Sequence, residues 1–255
     1  MNSQFILNYT GQKFKETKEL DSIDFSKYKT IVEPFGGSFG FSRYLYEIKG
    51  LKDIQYIIYD NDKELIEFYN HIKQLLIDDN FEDFINEYNS KMDYIKENFK
   101  YKDHKTYINA KTTKEFIQNI ENEHLKFMME KNIIGGCRLY VGKKNKLKFL
   151  DMIKQTTFIH NQFNKEDLVK YNKDDTLFYL DPPYLLEDNN AYKNTLDMKH
   201  FYEDIIYLFE NNKTLFIHSY NYLLNYVFGK YKRMEYEKKY MVSRRIVPHY
   251  VYGSF

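Results

Sequence analysis

Two hydrophobic periods alternate along the chain, and the switches between them mark the elements. Thr30-Ile31-Val32-Glu33 is a short β-branched run stopped by Pro34, Gly36 and Gly37, the pattern of a buried strand. Phe41, Tyr44, Leu45 and Ile48 then share one helical face. Gln55-Tyr56-Ile57-Ile58-Tyr59 predicts a second strand ending at Asp60-Asn61, and Leu65, Ile66, Tyr69, Ile72 and Leu76 return to helical spacing. This order predicts an α/β protein with a parallel sheet. From about Asp62 to Asn132 helical periods dominate, at Phe81, Phe84, Ile85 and Tyr88, then Phe116, Ile117 and Ile120, then Leu125, Met128 and Met129. Beyond Gly135-Gly136, the runs Cys137–Val141 and Leu147–Leu150 flank a polar stretch and predict a β-hairpin. Strand signals resume at Thr156–Ile159, Thr176–Leu180, Thr214–His218 and Val247–Tyr252. The expected organisation is one α/β domain built from residues 1–61 and 155–255, interrupted at 62–154 by a mostly helical insert with a hairpin.

Composition narrows the class. The 255 residues suffice for a real core, and 26 Tyr with 21 Phe exclude global disorder. Thirty-eight basic against 37 acidic side chains give a net charge of +1, which excludes a uniformly basic coat but not a local basic patch. No apolar stretch approaches the ~20 residues of a membrane span, and the N-terminus lacks the basic start and apolar core of a signal peptide. The single cysteine, Cys137, has no partner for an intrachain disulfide, and His160, His218 and His249 have no metal-ligand spacing. A cytoplasmic protein without metal, membrane association or obligatory protein partner is expected.

Asp181-Pro182-Pro183-Tyr184 follows the apolar run Leu177–Leu180 directly. In an open α/β sheet ligands bind beyond the carboxyl ends of strands. The exocyclic amino group of a base is planar and a poor nucleophile, because its lone pair is delocalised into the ring. The Asp181 carboxylate and the Pro182 carbonyl can each accept one of its hydrogens, and Tyr184 can stack on the base. The plain alternative is a sharp turn after a strand. Glu33-Pro34-Phe35-Gly36-Gly37-Ser38 lies between the first strand and helix, where glycines allow close backbone approach to a ligand. It is neither G-x-G-x-x-G nor a Walker loop, and so suits a ligand without phosphates. Asp60 ends the second strand, where a carboxylate commonly accepts both ribose hydroxyls of a nucleoside cofactor; a solvated strand-end Asp is the alternative.

Together with Tyr9-Thr10-Gly11-Gln12-Lys13, these motifs and their order resemble the Dam family of DNA adenine methyltransferases, the phage-type enzymes most closely. The resemblance implies a Rossmann-like methyltransferase sheet with helices on both faces, S-adenosylmethionine as cofactor and double-stranded DNA as partner. It implies cofactor contacts at Tyr9, Gly11, Lys13, Glu33, Pro34, Phe35, Gly36, Gly37, Ser38, Asp60, Asn61 and Asp181. Gln162-Phe163 resembles the family segment beside the cofactor adenine. Asp181, Pro182, Pro183 and Tyr184 are the implied catalytic residues. The insert departs from the family pattern: Gly135-Gly136-Cys137-Arg138 matches its Asn-Gly-x-x-Arg segment loosely, and Leu147–Asp151 replaces the usual Pro-Phe/Tyr-Gly hairpin end. The resemblance therefore extends to catalysis and not to a GATC recognition sequence.

Arg138, Tyr140, Lys143, Lys144 and Lys146, with Lys148, cluster on the expected hairpin and form the candidate DNA-binding patch, where lysines neutralise phosphates and an arginine can read guanine. A solvated turn is the bland reading. A second cluster, Lys238-Lys239 and Arg244-Arg245, could flank the same nucleic acid. The leading expectation is methylation of the adenine amino group in DNA; RNA adenine methylation and a catalytically silent nucleic-acid-binding protein are the rivals.

Overall fold

The computed structural model describes residues 5–8, 14, 16–101, 104–134, 147–161, 164–171, 173–182, 198–239 and 245–255. In chain order the strands are β1 (Thr30–Glu33), β2 (Gln55–Asp60), β3 (Lys100–Tyr101), β4 (His104–Ile108), β5 (Thr157–His160), β6 (Thr176–Leu180), β7 (Lys213–Ser219), β8 (Lys232–Lys239) and β9 (Ile246–Gly253). The α-helices are α1 (Gly40–Glu47), α2 (Lys63–Ile77), α3 (Phe81–Asn98), α4 (Ala110–Gln118), α5 (Glu123–Met129), α6 (Leu150–Gln155), α7 (Lys165–Leu168), α8 (Met198–Asn211) and α9 (Tyr222–Phe228). Among the described residues no helix is long and apolar enough to cross a membrane.

Two compact units result, one from Lys13–Ile66 with Gln155–Phe255, the other from Met1–Gln12 with Glu67–Lys154. The first holds a seven-stranded sheet of order β5-β2-β1-β6-β7-β9-β8. Its first five strands are parallel, β9 runs antiparallel to β7, and β8 runs antiparallel to β9. Alternation along each strand assigns two faces. Val32, Ile57, Tyr59, Phe178 and Leu180 pack with Phe201, Ile205, Leu208 and Phe209 of α8 and with Leu224 and Phe228 of α9. On the opposite face Tyr179 stacks flat on Phe41 of α1, with centroids 4.1 Å apart and planes 8° apart, and Phe41 meets Phe25 edge-on at 5.2 Å. The α/β sheet with helices on both faces is thus present as expected. From β1 the chain turns to β2 on one side, while β6 lies on the other. The carboxyl ends of β1 and β6 therefore flank the point where strand order reverses, the usual place for a ligand crevice.

The second unit is mainly helical. Asn109 and Asn122 cap α4 and α5, each side-chain oxygen accepting two backbone N–H groups of the first turn. Phe5 packs on Tyr69 and Phe149, which fixes residues 5–8 in this unit rather than with the sheet to which sequence assigned residues 1–61. The second arm expected of the hairpin is not a strand. Leu147 to Phe149 form a turn, with the Leu150 N–H on the Leu147 carbonyl, and α6 follows, because Phe149, Leu150 and Ile153 bury one helical face. The first arm, Cys137–Val141, lies outside the described residues. An unexpected antiparallel ribbon, β3–β4, occurs instead at Lys100–Ile108, where alternating polar residues gave no strand signal. β8 was equally unexpected, being Lys-Arg-Met-Glu-Tyr-Glu-Lys-Lys.

His71 of α2 and His124 of α5 stack at 4.1 Å and 16°. Burial lowers both imidazoles below the ordinary 6.5; the nearby His124 lowers His71 further, while Glu67 and Glu123 oppose the shift at His124. A depressed histidine contributes stability that is complete above the unfolded-state value and lost as pH falls through the folded-state value. The wild type is therefore expected to lose more stability than His71→Phe as pH drops from about 7 to about 5. Urea unfolding of both proteins across that range checks it; parallel curves would refute it.

Candidate active site

The loop from β1 to α1 must leave a strand, reverse and enter a helix within six residues, and backbone hydrogen bonds to β2 guide it. Gly36 N–H donates to the Tyr59 carbonyl at 2.7 Å, and Gly37 N–H donates to Asp60 Oδ2 at 2.8 Å. A Cβ at Gly36 would lie 2.2 Å from Ile58 Cγ2 and 3.0 Å from the Tyr59 oxygen, so only glycine fits this close approach. Gly37 has φ 48, in the left-handed region. Phe39 follows with φ 39 and ψ 48, costly for a residue with a Cβ. Its fully buried ring, 5.6 Å from that of Phe158, holds it there.

Phe39 occupies the N-cap of α1 without a capping side chain. The missing acceptor comes from β1: Glu33 Oε1 accepts the Ser42 backbone N–H at 2.7 Å and also the Ser42 hydroxyl. Glu33 is 2% exposed, and burial pushes its carboxyl up to about 8, against the pull of the Ser42 bonds and with added repulsion from Asp181. Sequence reading assigned Glu33 to a ligand and missed Ser42. The signal was available in hindsight, since Phe39 cannot cap a helix and a carboxylate lies nine residues upstream.

Asp60 serves β2 in the same way. Oδ2 takes Gly37 N–H, and Oδ1 takes Asp62 N–H at 2.9 Å. Burial raises this carboxyl, while the Asp62, Gly37 and Asn61 backbone donors pull it back. The main chain here also joins β5, through Asn161 N–H to the Asp60 carbonyl at 3.1 Å.

At β6, Asp181 and buried Pro182 emerge directly after Leu180. Tyr179 is fully buried with its hydroxyl unpaired, and its acidity is suppressed by burial first and then by Asp181 and Glu33. Glu33, Asp181 and the Tyr179 hydroxyl thus gather acceptor oxygens at the reversal point. Pro34 and Ser38 are buried within the loop, and Phe35 packs edge-on to Phe201 of α8 at 5.8 Å. Lys238, proposed from sequence to flank nucleic acid, is paired with Glu16 at 2.7 Å. Tyr9, Gly11, Lys13, Gln162, Phe163, Pro183, Tyr184, Arg138, Tyr140, Lys143, Lys144 and Lys146 lie outside the described residues. Among the described residues no group of three or more His, Cys, Asp or Glu side chains could hold a metal ion.

No curated protein sequence matches the chain. The family model described as D12 class N6 adenine-specific DNA methyltransferase does, over residues 9–242, a span containing the glycine loop, Asp60 and Asp181-Pro182-Pro183-Tyr184. With strand order, loop and acidic strand ends all in agreement, the chain belongs to the D12 class N6 adenine-specific DNA methyltransferases, enzymes that methylate adenine in DNA.

Proposed function

We propose that S-adenosylmethionine is the methyl donor and that it binds across the carboxyl ends of β1, β2 and β6. The observation that carries this reading is the convergence there of the glycine loop, the Asp60 carboxylate and the Glu33–Asp181 pair. An acidic, acceptor-rich mouth without a phosphate loop fits a cationic sulfonium bearing a ribose. Asp60 would hold the ribose hydroxyls, Asn61, Gln162 and Phe163 the adenine side, and Gly36, Gly37 and Glu33 the amino-acid end, with Tyr9, Gly11 and Lys13 completing the site. When bound, the cofactor supplies a methyl group on positively charged sulfur, a good leaving group.

The target adenine leaves the duplex, because its amino group cannot be reached while stacked and paired. Tyr184 stacks on the extruded base. Asp181 and the Pro182 carbonyl accept the two amino hydrogens, which turns the nitrogen lone pair out of the ring system. Proline has no N–H to compete at this turn. Asp181 then stabilises the positive charge that develops on nitrogen, an effect worth a few kcal/mol for one group. No covalent enzyme intermediate is needed, so Cys137 is dispensable. Arg138, Tyr140, Lys143, Lys144 and Lys146 are assigned to the duplex, within a recognition segment at 62–154.

Separate incubations of methyl-labelled S-adenosylmethionine with unmethylated duplex DNA and with RNA, followed by nucleoside analysis, test the whole reading. Label in N6-methyladenine is expected, and label in RNA alone would overturn it. Asp181→Ala is expected to lower single-turnover methylation by orders of magnitude with DNA binding little changed, and Cys137→Ser to stay active. Asp60→Ala is expected to weaken cofactor binding at least about tenfold, since charge-assisted hydrogen bonds are worth ~1.5–3 kcal/mol each. Calorimetry showing unchanged affinity would contradict that assignment. Glu33 titrates above its ordinary 4.5, so its contribution to stability is complete below that value and lost as pH rises through about 8. Relative to Glu33→Gln, the wild type is expected to lose on the order of 2 kcal/mol between about pH 6 and pH 9. Chemical unfolding at several pH values reads this difference directly.

A further inference from the structure

Residues 5–8 form no strand, yet Phe5, Ile6 and Leu7 are buried, so their main-chain polar groups need partners away from water. One side chain supplies two of them. Asn132, fully buried, accepts the Asn8 N–H on Oδ1 at 2.6 Å and donates from Nδ2 to the Ile6 carbonyl at 2.9 Å. Its amide acts as a peptide group of a strand that is not there. The bonds span 124 and 126 residues of sequence. Asn132 lies in a π-helical turn, Glu130–Ile134, that continues α5; such wide turns are rare and frequently accompany function.

The two segments joined in this way are the direct leads into the two ligand-binding motifs. Asn8 immediately precedes Tyr9, Gly11 and Lys13, and Ile134 immediately precedes Gly135-Gly136-Cys137-Arg138. We propose that Asn132 is a positioning residue that couples cofactor binding at the N-terminal motif to DNA recognition at the Arg138 segment. The inference rests on the assignments made above for those two motifs. A shift of the 130–134 turn on DNA binding moves the Asn8 amide with it, because breaking the clamp strands a buried donor and a buried acceptor. Coupling of this kind is reciprocal: each ligand strengthens the other's binding by the same factor.

The test measures binding of sinefungin, a non-reactive cofactor analogue, with and without an unmethylated duplex carrying every tetranucleotide. The wild type is expected to bind it about tenfold more tightly when the duplex is present. Asn132→Leu, which loses both hydrogen bonds, is expected to bring that ratio close to one. Asn132→Asp keeps an acceptor for Asn8 but no donor for Ile6, and is expected to fall between. Asn8→Pro removes only the N–H at the other end and leaves Asn132 in place, so it tests the clamp if the Asn132 variants do not fold. A purely structural Asn132 would lower the unfolding temperature and both affinities while leaving their ratio intact, and that result overturns the proposal. Absence of coupling in the wild type overturns it too. Failure of the wild type to bind sinefungin or DNA at all would instead refute the functional reading beneath it.

Discussion

Everything at the carboxyl edge of the sheet depends on how the β1–α1 loop is pinned to β2. Two N–H groups, of Gly36 and Gly37, reach the Tyr59 carbonyl and the Asp60 carboxylate, and the packing leaves no room for a side chain at Gly36. The loop then enters α1 through Phe39 in a left-handed conformation, with Glu33 reaching back to satisfy the Ser42 N–H that Phe39 cannot. Removing the Asp60 carboxylate would release the loop at Gly37. Removing Glu33 would uncap the helix that supports Tyr179 from the opposite face of the sheet.

Glu33 and Asp181 both stand at this edge, and their environments separate them. Glu33 is buried, committed on one oxygen to α1 and held toward its neutral form. Asp181 stands half-buried at the strand end and adds to that shift. Two adjacent carboxylates in a low-dielectric site do not readily ionise together, so burial and the neighbouring Asp181 both favour the protonated form of Glu33.

Most of the sheet was legible because its strands are apolar on both faces. Thr30–Glu33 and Thr176–Leu180 could be placed to the residue, since parallel strands covered by helices leave few polar interruptions. The ribbon at Lys100–Ile108 was not legible, because its run of Lys, Tyr, His and Thr carries no apolar alternation. Leu147–Leu150 misled for the opposite reason: a short apolar run fits a strand and a helix start equally, and burial of Phe149 and Ile153 on one helical face decided it. At the candidate site, the positions of Asp60 and Asp181 at strand ends and of the glycines after β1 were readable from the sequence. Tyr179 and Asn132 were invisible, because one matters through a partner it lacks and the other through partners far away in the chain, whereas Ser42 could have been read from the uncapped Phe39.

The charged strand β8 has a consequence for the protein in concentrated solution. Among the described residues it is the last strand of the sheet on one side, and the four-residue β5 is the last on the other. An open strand edge invites a strand from another molecule, and long flat apolar edges seed aggregates. Here one edge is too short to template a partner. The other alternates Arg233, Glu235, Glu237 and Lys239 outward, with Lys232 ion-paired to Glu235. An incoming strand would have to desolvate that row of charges, so the aromatic-rich sheet is guarded against polymerising through its own hydrogen-bonding edges.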